Sequence, residues 1–301
     1  MYTESRRTKM AYRLKPGRET VEAGTRRIAG EEFARIADIL ADSELPLANQ
    51  VHEVRKSTKR IRSVIRLVAP VFPAAKAENT ILKDCARSLS SARDTGAIHD
   101  SLGRLKLPAE TREATNAALV ANPTASGSAA GSVKLLKVFG RDIRAAAKRA
   151  AFWNIASEGF DAVRPGVQRS YKRLRKDFAA AISTRDEEAT HNWRKSAKSH
   201  WHQTLLLGQI CPEAMDAHAK LASRLSECLG DWRDSGLLIA ALEALPPDAL
   251  HKDALKDVKR AALRDQKRLL KKAERISGLL TAEKPKALIA RWAVYWSLSD
   301  A

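Results

Sequence analysis

The chain has 301 residues, and its 54 Lys and Arg outnumber 35 Asp and Glu to leave a formal charge of +19. A hydrophobic share of 44% is enough for a real core, and a surplus of this size points to a polyanion: nucleic acid, an anionic membrane surface or a phosphate polymer. Cys85, Cys211 and Cys228 are odd in number with no CxxC spacing, which argues against a disulfide frame or a zinc site and for a reducing compartment. No run is long and apolar enough to cross a membrane, and the opening residues have no apolar signal core. A cytoplasmic protein without membrane insertion is therefore expected.

Taken in chain order, residues 1–17, with Arg6, Arg7, Lys9 and Arg13, read as a flexible basic arm. Residues 19–42 form an amphipathic helix closed by "DSELP". Residues 47–69 form a second, stopped by Pro70 and Pro73, since proline cannot continue a helix. Residues 75–106 hold one long helix or two, with a break expected near Gly96. "ANPTASGSAAGS", 121–132, is the clearest loop by composition, and a helix around 133–150 leads into the second half. Further helices are expected near 157–182, 187–209, 213–230, 232–244, 248–276 and 284–297. Glycine, proline and aromatics are scarce, no alternating pattern suggests strands, and the fold class is all-α, a bundle of long antiparallel helices.

The order of these helices repeats. "VEAGTRR" at Val21 matches "VRPGVQR" at Val163, and "LSSARDTG" at Leu89 matches "LGDWRDSG" at Leu229. Between them, His52, Arg55, Lys56, Ser57, Lys59 and Pro73 recur as His191, Arg194, Lys195, Ser196, Lys198 and Pro212. Three blocks in one order at nearly one offset make two related halves, about 18–125 and about 133–301, with a linker over about 121–132.

The repeated helices carry one-sided charge. At about 100° per residue, with His52 at zero, Lys56, Lys59, Arg55, Arg62 and Arg66 fall between about +40° and −80°. Val54, Ile61, Ile65 and Val68 cluster opposite. In the second copy His191, Arg194, Lys195, Lys198 and His202 share a face, while Trp193 and His200 turn to the other side, where a packed histidine is expected. Surface helices usually mix signs to gain i,i+4 pairs, but this segment has only Glu53 as an acid. Such a stripe is under repulsion that a bound polyanion would relieve. Arginine forks, lysine ammonium groups and serine hydroxyls suit phosphate oxygens, and a histidine beside an anion shifts toward its charged form. A metal site in "HNWRKSAKSHWH" fails on geometry. His191 and His202 stand about 16 Å apart along the axis, and His200 and His202 point in opposing directions. No metal or cofactor is expected.

"VHEVRKSTKRIRSVIRLV" and "HNWRKSAKSHWHQTLLL", the latter followed by "LSECLGDWRDSGLLIAAL", resemble the two halves of a CHAD domain, the conserved histidine α-helical domain, over about residues 18–297. The resemblance implies two four-helix halves related by pseudo-twofold symmetry around a basic central channel that binds inorganic polyphosphate. It also implies members found on polyphosphate granules. Carried over position by position, it points to His52, Arg55, Lys59 and Arg62, and to His191, Arg194, Lys195 and Lys198. Lys56, Arg66 and His202 join them by helical face. Arg93 belongs to the block after the third helix. Arg169 and Arg173 belong to the basic "RSYKRLRK" helix, with Arg27 the repeat counterpart of Arg169. Where the family often has histidine before the second aspartate, this chain has Arg233 before Asp234. The aspartates are expected to orient neighbouring cations.

Inorganic polyphosphate is thus the expected partner, bound without catalysis. The alternatives are a general polyanion or nucleic-acid binder and, further off, an accessory subunit of a polyphosphate-metabolising enzyme. Few aromatic platforms for bases lie near the basic faces, Trp201 and Tyr171 being the candidates. Phosphoryl transfer needs metal-holding carboxylates, and no acidic cluster or ExExK pattern accompanies the stripes. Oligomeric state is not written in the sequence.

Overall fold

The computed structural model describes residues 12–89, 94–122 and 129–299, and the regular secondary structure of these residues is helical. Helix α1 (Val21–Ala41) starts at Thr20, whose hydroxyl accepts from the Ala23 N–H at 3.1 Å, a side-chain N-cap. Helix α2 (Leu47–Val68) buries Val51, Val54, Ile61, Val64, Ile65 and Val68 on its apolar face and gives way to a 3-10 turn, Ala69–Val71, at Pro70. Helices α3 (Ala75–Ser88), α4 (Asp94–Arg104), α5 (Ala109–Ala121) and α6 (Ala129–Ala150) complete the first half of the chain.

Helix α7 (Gly159–Thr184) turns into α8 (Glu187–Leu206) through Arg185, whose φ of 54° lies in the left-handed region. Asp186 caps α8, its carboxylate accepting from the Ala189 N–H at 2.6 Å. Helices α9 (Pro212–Glu243), α10 (Lys252–Leu280) and α11 (Pro285–Ser299) follow.

The all-α expectation holds, with four differences in detail. First, the region 213–244 is one helix, not two. Its buried positions run on through Leu225, Leu229, Ser235, Leu238 and Leu242 at helical spacing, and Gly230 costs only about 1 kcal/mol against alanine, too little to break so long a packed face. Second, α5 was not anticipated, because it buries little beyond Thr115, Ala118 and Leu119. Third, the small residues 129–132 at the end of the expected loop start α6. Fourth, Tyr12 and Leu14, read as part of a loose arm, are 3% and 2% exposed. The Leu14 N–H donates to the Leu206 carbonyl at 2.8 Å. Helix α3 ends at Ser88 and α4 is described from Asp94, ahead of Gly96.

Helices α1, α2, α3 and α6 pack as one four-helix group, and α7, α8, α9 and α10 as another. Helix α6, read as leading into the second half, therefore completes the first group. Arg149 on α6 grips Glu78 on α3 through two bonds of 2.7 and 3.0 Å. Helices α4 and α5 cross over: Ile98, Leu102 and Leu119 share a core with Leu238, Leu242 and Val258 of α9 and α10. The two groups meet along α2, which touches both α7 and α8. There Gly166 of α7 lies so close to α2 that a Cβ would stand 1.8 Å from the Leu67 carbonyl oxygen. Only glycine allows that approach, and it fixes how α2 lies on the second group.

Candidate functional site

The stretches that the repeat singled out come together. The first half of α2 runs beside the second half of α8, and the two line a pocket of about 220 Å³. His52, Arg55, Lys56, Lys59 and Arg60 form one wall; Lys198, Trp201, His202 and Leu205 form the other. Lys59 and Lys198 hold equivalent positions in the repeat and both line this pocket.

Each wall is held from behind. Arg55 donates to the Ala86 carbonyl of α3 at 2.5 Å. Glu53 ties Arg35 of α1, at 3.4 Å, to Lys56, at 3.7 Å. Arg60 pairs with Glu32 of α1 at 2.9 Å, each side chain only 7% exposed. Burial pushes the Arg60 guanidinium down to about 10 and the Glu32 carboxyl up to about 7, with the Ser57 hydroxyl, Arg35 and Lys56 pulling Glu32 back. Tyr12 lies over Arg60, 5.2 Å from guanidinium carbon to ring centre, and meets the His202 ring edge-on at 6.0 Å.

Beyond the pocket the basic surface continues along α2. Arg62 donates to Asn79 at 3.0 Å and Arg66 to the Arg62 carbonyl at 3.0 Å. Burial, and next the charge of Arg66, pushes Arg62 down to about 10; burial and then Arg173 act on Arg66 in the same direction. Arg173 itself is exposed, pairs with Asp177 at 3.4 Å and is not among the pocket-lining residues. On α8, burial lowers the pKa of His191, and Lys195, Arg194 and Arg233 press it further down. Asp234 accepts from its neighbour Arg233 at 3.3 Å.

His202 is the most constrained member. It is 6% exposed, and neither ring nitrogen has a hydrogen-bond partner. Burial holds its pKa well below the usual value, and Lys198, Arg60, Arg66 and Lys59 add to that. Cations thus crowd a neutral imidazole, and a bound anion would satisfy both.

Other expected residues take different places. Arg27 lies outside the pocket lining. Its guanidinium is clamped by Glu19 at 2.7 and 2.8 Å, by Glu31 at 3.1 Å and by the Arg13 carbonyl at 2.7 Å. Arg169 is exposed on α7 and is not among the pocket-lining residues. Arg93 lies outside the described residues. The serines point inward: Ser57 and Ser63 are fully buried, and the Ser196 hydroxyl donates to the Trp193 carbonyl at 2.9 Å. Trp193 and His200 face the core as expected. The Trp193 N–H donates to Ser277 at 3.1 Å, and His200 Nε2 lies 2.8 Å from His218 Nε2. Tyr171, considered as a base platform, is buried with its hydroxyl donating to the Glu283 carbonyl at 2.8 Å.

Sequence reasoning missed Arg60 and Tyr12. Arg60 sits at about +80° on α2, off the centre of the stripe, and its place depends on Glu32 of another helix. Tyr12 had one signal: an apolar pair, Tyr12 and Leu14, inside a basic segment. Among the described residues no group of three His, Cys, Asp or Glu is placed to hold a metal ion, and no helix is long and apolar enough to cross a membrane.

Fold and site together define a duplicated all-α protein with a basic cleft between its two copies. Residues 33–243 match the family model of the CHAD domain, and the chain belongs to that family. Its fold is similar to the crystal structure of the CHAD domain from the plant Ricinus communis. The TM-score is 0.67 and the identity 19%, over 91% of this chain and 96% of that one. No curated protein matches.

Proposed function

We propose that this protein binds inorganic polyphosphate without turning it over, holding the chain in the α2–α8 cleft. One observation carries the reading: His52, Arg55, Lys56 and Lys59 of the first copy's basic stripe share one pocket with Lys198 and His202 of the second copy's, while His191, Arg194 and Lys195 do not line it. A polymer with a charge on every internal phosphate and no bases to read suits a cleft of Arg, Lys and His. Burial is the main cause of the lowered pKa values of Arg62, Arg66 and His191, neighbouring cations add to it, and a bound polyanion would relieve that added part. Affinity should fall steeply with salt through counterion release, by analogy with nucleic acids. The cellular setting that fits is cytoplasmic, at polyphosphate granules, as a coat or as a recruiter of enzymes.

The test is a competition. Labelled long-chain polyphosphate is bound at near-physiological salt and challenged with single- and double-stranded nucleic acid. Retention against a large excess of nucleotide phosphate supports the reading. Displacement at matched phosphate makes the cleft a general polyanion surface. The double variant Lys59→Glu, Lys198→Glu should keep its helical circular dichroism and lose at least tenfold in polyphosphate affinity; unchanged affinity would place the site elsewhere. Sustained phosphate release with Mg²⁺ or Mn²⁺ would show an enzyme instead of a binder.

A further inference from the structure

The two copies are not equivalent where their helices meet. Trp201, His202 and Leu205 of α8 stand at the repeat positions that Arg62, Ser63 and Arg66 occupy on α2. Arg62 and Arg66 lie on α2 beyond the pocket and add arginine charge to that end of the helix. Around Trp201 the cleft is a partly apolar pocket of about 220 Å³. At roughly 30 Å³ per water, that is room for one flat ring system and not for a whole nucleotide.

The hydrogen-bond inventory separates the two lobes further. A neutral imidazole offers one N–H donor and one nitrogen acceptor. His202 lines the pocket with both nitrogens unpartnered and its side chain more than nine-tenths buried. Internal phosphates supply acceptors only, which meet both nitrogens only if the ring takes up a proton, and they give Trp201 and Leu205 nothing apolar to cover. A nucleobase supplies what is missing: an aromatic face for the indole and Leu205, and an edge carrying both donors and acceptors. Base–aromatic stacking of this kind is a substantial source of affinity in nucleotide recognition.

We propose that this lobe seats the base of a nucleoside 5′-triphosphate whose phosphates run onto Lys59 and Lys198. The inference rests on the reading that the cleft takes phosphate, and it adds a second ligand class to it. It also gives a reason for the asymmetry: arginines in one copy and a base pocket at the equivalent positions of the other.

The experiment compares ATP with inorganic tripolyphosphate by calorimetry on the full chain, in chelator, with long-chain polyphosphate titrated alongside. Tripolyphosphate carries at least as much charge, so an advantage for ATP comes from its nucleoside. We expect ATP to bind about tenfold tighter and to quench tryptophan fluorescence. Trp201→Leu should remove that advantage, bringing the affinities for ATP and tripolyphosphate to within about twofold of each other. Since Trp201 also packs on the second core, Leu205→Arg, which restores the residue type of the other copy, gives an independent check. It should abolish the preference for ATP and tighten tripolyphosphate. ATP binding no tighter than tripolyphosphate, or insensitive to both substitutions, overturns the inference. If polyphosphate binds with no preference for ATP, the proposed function stands and this inference falls; if neither binds, both fall.

Discussion

Arg60 and Glu32 carry opposite charges into the body of the protein beneath the pocket, and their energetics are those of a buried pair. Taking both ions out of water costs several kcal/mol each, and their attraction offsets that cost only while both are present. At about pH 8, above the Glu32 value of about 7, Arg60→Leu should therefore destabilise the fold by about 3 kcal/mol by stranding the Glu32 carboxylate, and Glu32→Leu by a similar amount. The double variant should lose much less than the sum of the two, a coupling that a denaturation double-mutant cycle would read directly. Additive losses would mean that the two side chains are solvated in solution. Arg60 also faces the pocket, so the Glu32→Leu variant, if folded, should bind polyanion at least as well as the native chain.

At the scale of elements, the crossing of α2 over α7 depends on the absence of one side chain. A Cβ at Gly166 would stand 1.8 Å from the Leu67 oxygen and 2.6 Å from its carbonyl carbon. Both atoms belong to helix backbone that cannot step aside alone. Gly166→Ala should cost about 3 kcal/mol, as overpacking does. Gly230 of α9, with nothing within 4 Å of its Cβ position, is the contrasting case. Gly230→Ala should stabilise by about 1 kcal/mol through helix propensity alone. Chemical denaturation of the two variants would check both signs. A mild effect at Gly166 would mean that the two groups of helices can slide along each other.

For the whole molecule, pH is the lever. His200 and His202 are buried with pKa values held well below the usual range, and burial lowers His218 to about 4. The unfolded chain binds protons at these sites near pH 6.5. The stability of keeping them neutral is therefore full above about pH 6.5 and is lost as pH falls toward the folded values. Glu32 acts in the opposite sense. Its raised carboxyl, at about 7, takes up a proton on folding as pH falls and offsets part of the loss. Comparing the native chain with His218→Gln isolates one histidine. Between pH 7 and 5 the native chain should lose up to about 2 kcal/mol relative to the variant, at about 1.4 kcal/mol per pKa unit. A parallel pH dependence in urea unfolding would contradict a neutral His200–His218 contact.

The periodicity of "VHEVRKSTKRIRSVIRLV" and its second copy by itself determined that α2 and α8 are helices with one basic face each, that His200 and Trp193 turn inward, and that the chain is duplicated. These are local properties, set by 3.6-residue spacing and side-chain chemistry within about twenty residues. Only the tertiary structure decided which face meets which. It brought Lys59 to Lys198, buried Ser57 and Ser63 against other helices, and clamped Arg27 between Glu19 and Glu31. It also carried α4 across to α9 and fixed Tyr12 beside His202. Each of these outcomes depends on partners distant in sequence, or, for Arg27, on how the preceding chain folds back. The angle of a residue on its own helix says which way it points, and the neighbouring helices decide whether it meets water, core or ligand.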